Sequence, residues 1–244
     1  MPIPFKLKRY QKDFEFSYSF GVYPTLELIH FQPQQVLAVL IHSKGEENQG
    51  IQKIKQISLE SDIELIEKDQ LVEKLAPRGT TYAIGVFKKS PNQLEQRDNH
   101  IVLVHPSSMG NLGTIMRSML AFGERNLASI EPAADPFDPK TIRASMGSIF
   151  RLNVQLFRDF ATYKDRYKQH ALYPLMTDGS VTLPEVQFKE PYSLIFGEES
   201  SGLSEEFREY GTSIRIPQSS SVDSLNLALS VGISLYQSRI AGEK

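Results

Sequence analysis

Apolar positions along this chain come in short runs separated by polar corners. VLAVLIHS (36–43) is a continuous aliphatic run of strand length. In NQGIQKIKQISLESD (48–62), Ile51, Ile54 and Ile57 recur at helical spacing. IELIEK (63–68) alternates like a strand, and TTYAIGVFK (80–88) reads as another. Residues 1–18 mix charges and aromatics and read as a terminal arm. SPNQLEQRDNH (90–100) is polar, opens with Ser-Pro and has little periodicity, so it reads as an interdomain linker.

The pattern restarts at IVLV (101–104), a strand followed by the loop-to-helix stretch HPSSMGNLGTIMRSMLAFG (105–123). LASIEP (127–132), NVQLF (153–157), LYPLMT (172–177), YSLIFG (192–197) and SIRIP (213–217) read as strands. PKTIRASMGSIF (139–150), FATYKDRYKQHA (160–171) and SVDSLNLALSVGISLYQSRIA (221–241) read as helices. Strands alternating with helices predict an α/β fold whose parallel sheet is covered on both faces. The expected domains are 1–95, with arm and linker, and 96–244.

Composition changes this picture little. The 244 residues carry a formal net charge of -2, so no whole-chain basic excess argues for nucleic acid. There is no cysteine, which excludes disulfides and thiolate metal sites and fits a reducing cytosol. The basic N-terminus lacks a following apolar segment, so no signal peptide is expected. No apolar run approaches the ~20 residues of a membrane span.

Candidate chemistry lies in three corners that follow strands: GNLG (110–113), FGEESSGLS (196–204) and IPQSSSVDSLN (216–226). In an open α/β sheet, ligands bind beyond the carboxyl ends of strands. GxxxxGK[ST], GxGxxG and GxSxG are all absent, which argues against a P-loop ATPase, a nicotinamide enzyme and a serine hydrolase. The five histidines show no metal-ligand spacing. Gly197 and Gly202 would let main chain approach a ligand closely. Glu199 is either a site carboxylate or an anion answering a helix N-terminus. Ser224 and Asn226 open the last helix and suit N-capping. Arg117 falls in the second turn of its helix, off the apolar face formed by Leu112, Ile115, Met116 and Met119.

The ordered motifs GNLGTIMRSMLAFG (110–123), LIFGEESSGLS (194–204) and IPQSSSVDSLNLALSVGISLY (216–236) resemble the SPOUT superfamily of RNA methyltransferases, in its SpoU (TrmH-like) 2′-O-ribose branch. KTIRASMGSIFRLNV (140–154) resembles the segment between the first two. The resemblance covers about residues 98–241. More loosely, SFGVYPTLELI (19–29) resembles a ribosomal-protein-like substrate-binding domain. Departures are the longer lead Pro106–Gly110, Glu198 in place of a small polar residue, and Ser230 in place of alanine.

The resemblance implies a deep trefoil knot, S-adenosylmethionine bound in it, and a homodimer sharing its active sites. It implies cofactor contacts at Leu175, Thr177, Phe196, Gly197, Glu198, Gly202, Ile216, Pro217 and Leu225. It implies catalytic roles for Asn111, Arg117, Glu199, Ser224 and Asn226, with Arg117 either the base or an anchor. A guanidinium with pKa above about 12 is a poor proton acceptor and a good bidentate clamp. No metal is needed, because the sulfonium already carries an activated methyl group. The expected reaction is 2′-O-methylation of structured RNA in the cytoplasm, rRNA before tRNA. The first domain would select the RNA, and basic residues for contact with it are Lys6, Lys8, Arg9, Lys12, Arg78, Lys88, Lys89 and Arg143. The rivals are a catalytically inactive RNA binder and a base-modifying SPOUT enzyme.

Overall fold

The computed structural model describes residues 6–76, 81–90 and 92–242. The expected RNA contact Arg78 lies outside them. The chain forms two compact units. One holds the described residues up to Ser90 together with Asp135–Arg151; the other holds those from Asn92 to Ala134 and from Leu152 onward.

The first unit begins β1 Phe16–Phe20, α1 Val22–Phe31, β2 Val36–Ile41, α2 Gln49–Glu60, β3 Leu65–Glu67, α3 Asp69–Leu75 and β4 Ala83–Lys88. Its sheet runs β1-β4-β2-β3, with only the β2–β3 pair parallel. The end of the expected arm is therefore a strand. Phe16, Tyr18 and Phe20 point into one core with Leu40, Ile84 and Val86. Ser17 and Ser19 alternate to the other face and are fully buried; Ser17 Oγ donates to the Phe137 carbonyl, and Ser19 bonds Thr25. On that side, Ile51 and Ile54 of α2 pack with Ile29, Val39 and Ile41.

The second unit runs β5 His100–Val104, α4 Met109–Ala121 and β6 Asn126–Ile130. The chain then gives α5 Pro139–Ala144 to the first unit before β7 Asn153–Phe157, α6 Phe160–Arg166, β8 Ala171–Pro174, β9 Val181–Thr182, β10 Tyr192–Phe196, β11 Ile214–Arg215 and α7 Leu227–Gly242. Five strands form a parallel sheet in the order β7-β6-β5-β10-β8. Every residue of β5, β6 and β10 is buried, which explains the unbroken aliphatic runs.

Three expected helices are shorter than their patterns. The one expected over 160–171 ends at Arg166, and Ala171 already opens β8. Residues 139–150 break after Ala144, because Met146 and Gly147 take φ of 52° and 81° and turn the chain into a short 3-10 segment, Ser148–Arg151. A Cβ on Gly147 would lie 2.8 Å from Glu27 Cβ, so the reversal also brings the backbone tight against α1. The final helix starts at Leu227 rather than 221, because Asn226 Oδ1 accepts from the Ala228 and Leu229 amides at 2.9 and 3.3 Å.

Segment 135–151, expected in the second domain, packs in the first. Conversely, Leu94–Gln96 of the expected linker is fastened into the second. Leu94 is buried with Val102, Tyr163 and Ile195. Asn126 Oδ1 accepts from the Glu95 amide at 3.0 Å. The Nε2 atoms of His100 and His170 donate to the carbonyls of Glu95 and Gln96 at 2.9 and 3.0 Å. Polar composition reads as a linker, but here the polar main chain is satisfied by buried side chains. No helix among the described residues is long and apolar enough to cross a membrane.

Candidate functional site

In the second unit, the loops after the adjacent strands β5 and β10 meet at their carboxyl ends. The first loop leads into α4, whose N-cap Ser108 accepts from the Asn111 amide at 3.2 Å. The second carries Glu199 into the space ahead of that helix. Glu199 Oε2 accepts from the Ser107 amide at 3.1 Å and from Ser107 Oγ at 2.9 Å. Its Oε1 accepts from the Ser108 amide and from Asn111 Nδ2, both at 3.1 Å. Asn111 Oδ1 in turn accepts from Asn226 Nδ2 at 3.1 Å. Asn226 is also the cap of α7, so one chain of side-chain bonds joins all three motif loops.

Charge explains why this cluster holds. Partial burial raises the Glu199 pKa, but bonds from the Ser107 amide, Asn111 and the Ser107 hydroxyl outweigh it and bring it down to about 2. The carboxylate is ionised throughout the neutral range. Its place just before α4 also answers the positive end of that helix.

Beside the network lies a cavity of about 440 Å³. Its walls are the segment after β8, the loop after β10 and the approach to α7. Leu175, Thr177, Phe196, Gly197, Glu198, Gly202, Ile216 and Leu225 all line it, as do Glu199 and Ser224. Pro217 does not, although its neighbours Ile216 and Gln218 do. Gly197 is bare for a packing reason: a Cβ there would lie 2.1 Å from the Gly202 carbonyl carbon. The Gly202 amide donates to the Glu198 carbonyl at 2.9 Å, closing the loop into a tight wall.

Arg117 and Ser224 are placed differently from the linked trio. Arg117 is exposed on α4, outside the cavity lining, with no polar partner among the described residues. Ser224 is exposed and caps nothing; capping falls to Asn226 alone. Sequence reasoning overlooked Asp178, Glu205 and Asp223, three carboxylates that line the cavity. No Lys, Arg or His lines it; Arg208, outside the lining, pairs with Asp178 and Glu205, and Glu198, Glu199 and Asp223 keep the lining acidic, which suits a ligand bearing positive charge. Asp178 follows the apolar run 172–177, whereas Glu205 and Asp223 sit in polar stretches with no local signal of a site. Among the described residues, no group of three or more His, Asp or Glu side chains is arranged to hold a metal.

These features define an α/β protein with a ligand cavity at the carboxyl ends of parallel strands, bordered by an ionised Glu–Asn–Asn cluster. The chain belongs to the SpoU rRNA Methylase family, whose model matches residues 98–236. It is 35% identical over 142 residues to an uncharacterized tRNA/rRNA methyltransferase of Synechocystis, covering 57% of this chain and 52% of that one. The chain thus spans about half the length of that relative. It is 29% identical to the 23S rRNA (uridine(2479)-2′-O)-methyltransferase of Streptomyces viridochromogenes, over 78% of this chain and 70% of that one. The fold matches the crystal structure of the SpoU methyltransferase AviRb from the same organism in complex with AdoMet. There the TM-score is 0.82 at 22% identity, over 94% of this chain and 91% of that one.

Proposed function

We propose that this protein transfers a methyl group from S-adenosylmethionine to a ribose 2′-hydroxyl of structured RNA, with rRNA as the substrate class. The observation that carries the reading is the Glu199–Asn111–Asn226 chain beside a cavity lined by the segment after β8, the loop after β10 and the approach to α7. Relatives named as 23S rRNA 2′-O-methyltransferases support it.

The cavity fits the cofactor. Its volume is in the small-molecule range. Leu175, Phe196, Ile216 and Leu225 offer apolar contact to an adenine, and Glu198 and Asp223, lining carboxylates outside the Arg208 pairs, suit a sulfonium and an ammonium group. When bound, S-adenosylmethionine supplies the activated methyl group. The protein's part is to place a ribose oxygen in line and stabilise the charge that develops on it.

Glu199, ionised and saturated with donors, fixes Asn111; Asn111 fixes Asn226; together they hold three loops in register around the reacting position. Arg117 acts as the anchor for a phosphate or the developing alkoxide, because a guanidinium is a planar bidentate donor to anionic oxygens. Its exposure outside the cavity lined by its own chain fits a homodimer in which each site draws on two copies. A deep trefoil knot belongs to the same reading. The Leu175–Ile214 bridge supports it, as does Gly179, where a Cβ would lie 2.3 Å from the Ile214 carbonyl carbon. The first unit selects the RNA, with Lys6, Lys8, Arg9, Lys12, Lys88 and Arg143 exposed for phosphate contact. Lys89 is occupied otherwise, donating to the Lys12 carbonyl at 2.8 Å and to Tyr10 at 3.3 Å. The cytoplasm is the place of action.

The test is transfer of labelled methyl to rRNA and tRNA from cells lacking the protein, read by nucleoside mass spectrometry. A 2′-O-methylated nucleoside from rRNA is expected. A methylated base, or cofactor binding without transfer to either RNA, overturns the reading.

A further inference from the structure

The segment after β8 forms one wall of the cavity through Leu175, Met176, Thr177 and Asp178. Its start is held by main chain: the Met176 amide donates to the Ile214 carbonyl at 2.8 Å. Beyond that, two arginines hold it. Arg208, in the 3-10 turn Glu205–Glu209, pairs through Nη2 with the Asp178 carboxylate. Its Nη1 donates to the Asp178 carbonyl at 3.3 Å, and its Nε donates to Glu205 Oε2 at 2.7 Å. Arg215 Nη1 donates to the Gly179 carbonyl at 2.6 Å. Two successive carbonyls of the wall are thus bound by guanidinium groups reaching from two other segments.

Arg208 itself does not line the cavity, whereas both of its acidic partners do. We propose that Arg208 is a positioning residue for cofactor binding: it locks the Thr177–Gly179 wall to the Glu205–Glu209 turn and thereby sets the cavity's affinity for S-adenosylmethionine. The inference rests on the cofactor reading above. A guanidinium suits the task because its planar fork addresses a carboxylate, a carbonyl and a second carboxylate at once. Lysine brings one point charge and cannot span all three. Without the fork, Asp178 and Glu205 repel each other across the turn, and the wall loses its fixed spacing.

The test measures S-adenosylmethionine affinity by titration calorimetry on the full chain, with unfolding temperatures recorded in parallel. Arg208→Met and Asp178→Asn are each expected to weaken binding about fivefold, the scale of a partly exposed ion pair. The double variant is expected to be no weaker than either single one, because both break the same lock. Arg208→Lys is expected to fall between wild type and Arg208→Met. Arg158→Met, which breaks the exposed pair with Asp159 away from the cavity, is expected to bind as wild type does. Wild-type affinity in Arg208→Met, or multiplied losses in the double variant, overturns the lock. Wild-type protein that fails to bind S-adenosylmethionine overturns the cofactor reading and the lock with it.

Discussion

The Asn111 side-chain amide points its donor at Glu199 and its acceptor at Asn226, with both contacts at 3.1 Å. This polarity makes the cluster sensitive to chemistry rather than size. Asn111→Asp places a carboxylate against the ionised Glu199, and like charges in contact repel. Asn111→Asp is therefore expected to lose more methyl transfer and more thermal stability than Asn111→Ala at pH 7.5. Because proton uptake relieves the repulsion, Asn111→Asp is also expected to regain stability as the pH falls towards 5. Thermal unfolding at the two pH values checks both points.

The five strands of the second unit's parallel sheet were legible because a sheet covered on both faces needs aliphatic runs, whereas the two-residue β9 was not. The cluster was not legible. Asn111 lies 88 residues from Glu199 and 115 from Asn226, and no local pattern encodes such a meeting. β1 escaped notice because FSYSF buries serines on its second face, where Ser17 and Ser19 find side-chain partners. Leu94 and His100 were hidden in polar surroundings, although both are buried. Periodicity singled out Arg117 as the lone cation in an apolar helical run, and only the motif resemblance attached a role to it.

Arg117→Ala is expected to lower methyl transfer by about 10²-fold or more, the scale for removing a preorganised charge-stabilising group. Its unfolding free energy should change by no more than about 0.5 kcal/mol, because the side chain is exposed and without a partner among the described residues. A flat pH profile for residual activity is expected if the residue anchors charge. A lost titration step would assign it the proton instead.

Two neighbouring glycines should behave unequally. Gly197→Ala drives a methyl group into the Gly202 main chain and is expected to cost about 3 kcal/mol and abolish cofactor binding. At Gly202 an added Cβ meets nothing within 4 Å, and only its φ of 69° is unfavourable. Gly202→Ala is expected to cost about 1 kcal/mol and leave binding measurable. Denaturant titration and calorimetry together check the pair.

The fully buried His100 accepts from Tyr163 and donates to the Glu95 carbonyl, with the His170 ring centred 4.3 Å away. Burial is the main cause of its pKa falling to about 4, and the nearby His170 adds to the fall. Between pH 6.5 and 4 the unfolded chain binds a proton that the folded chain refuses, so stability must decline as pH drops through that window. The decline is expected to reach about 2 kcal/mol, measured by urea unfolding at pH 7.5 and 4.5. In a proton NMR titration, the His100 ring should stay neutral until close to pH 4.

The assignment of Asp135–Arg151 to the first unit has a consequence for the order of events during synthesis. Phe150 packs its ring 5.1 Å from Phe87, and the Phe137 carbonyl takes the Ser17 hydroxyl, so this late segment completes an early core. A nascent chain released as far as β4 has made every strand of its first sheet but still lacks these partners. The unit that is translated first must therefore wait, partly unclosed, until Arg151 has left the ribosome.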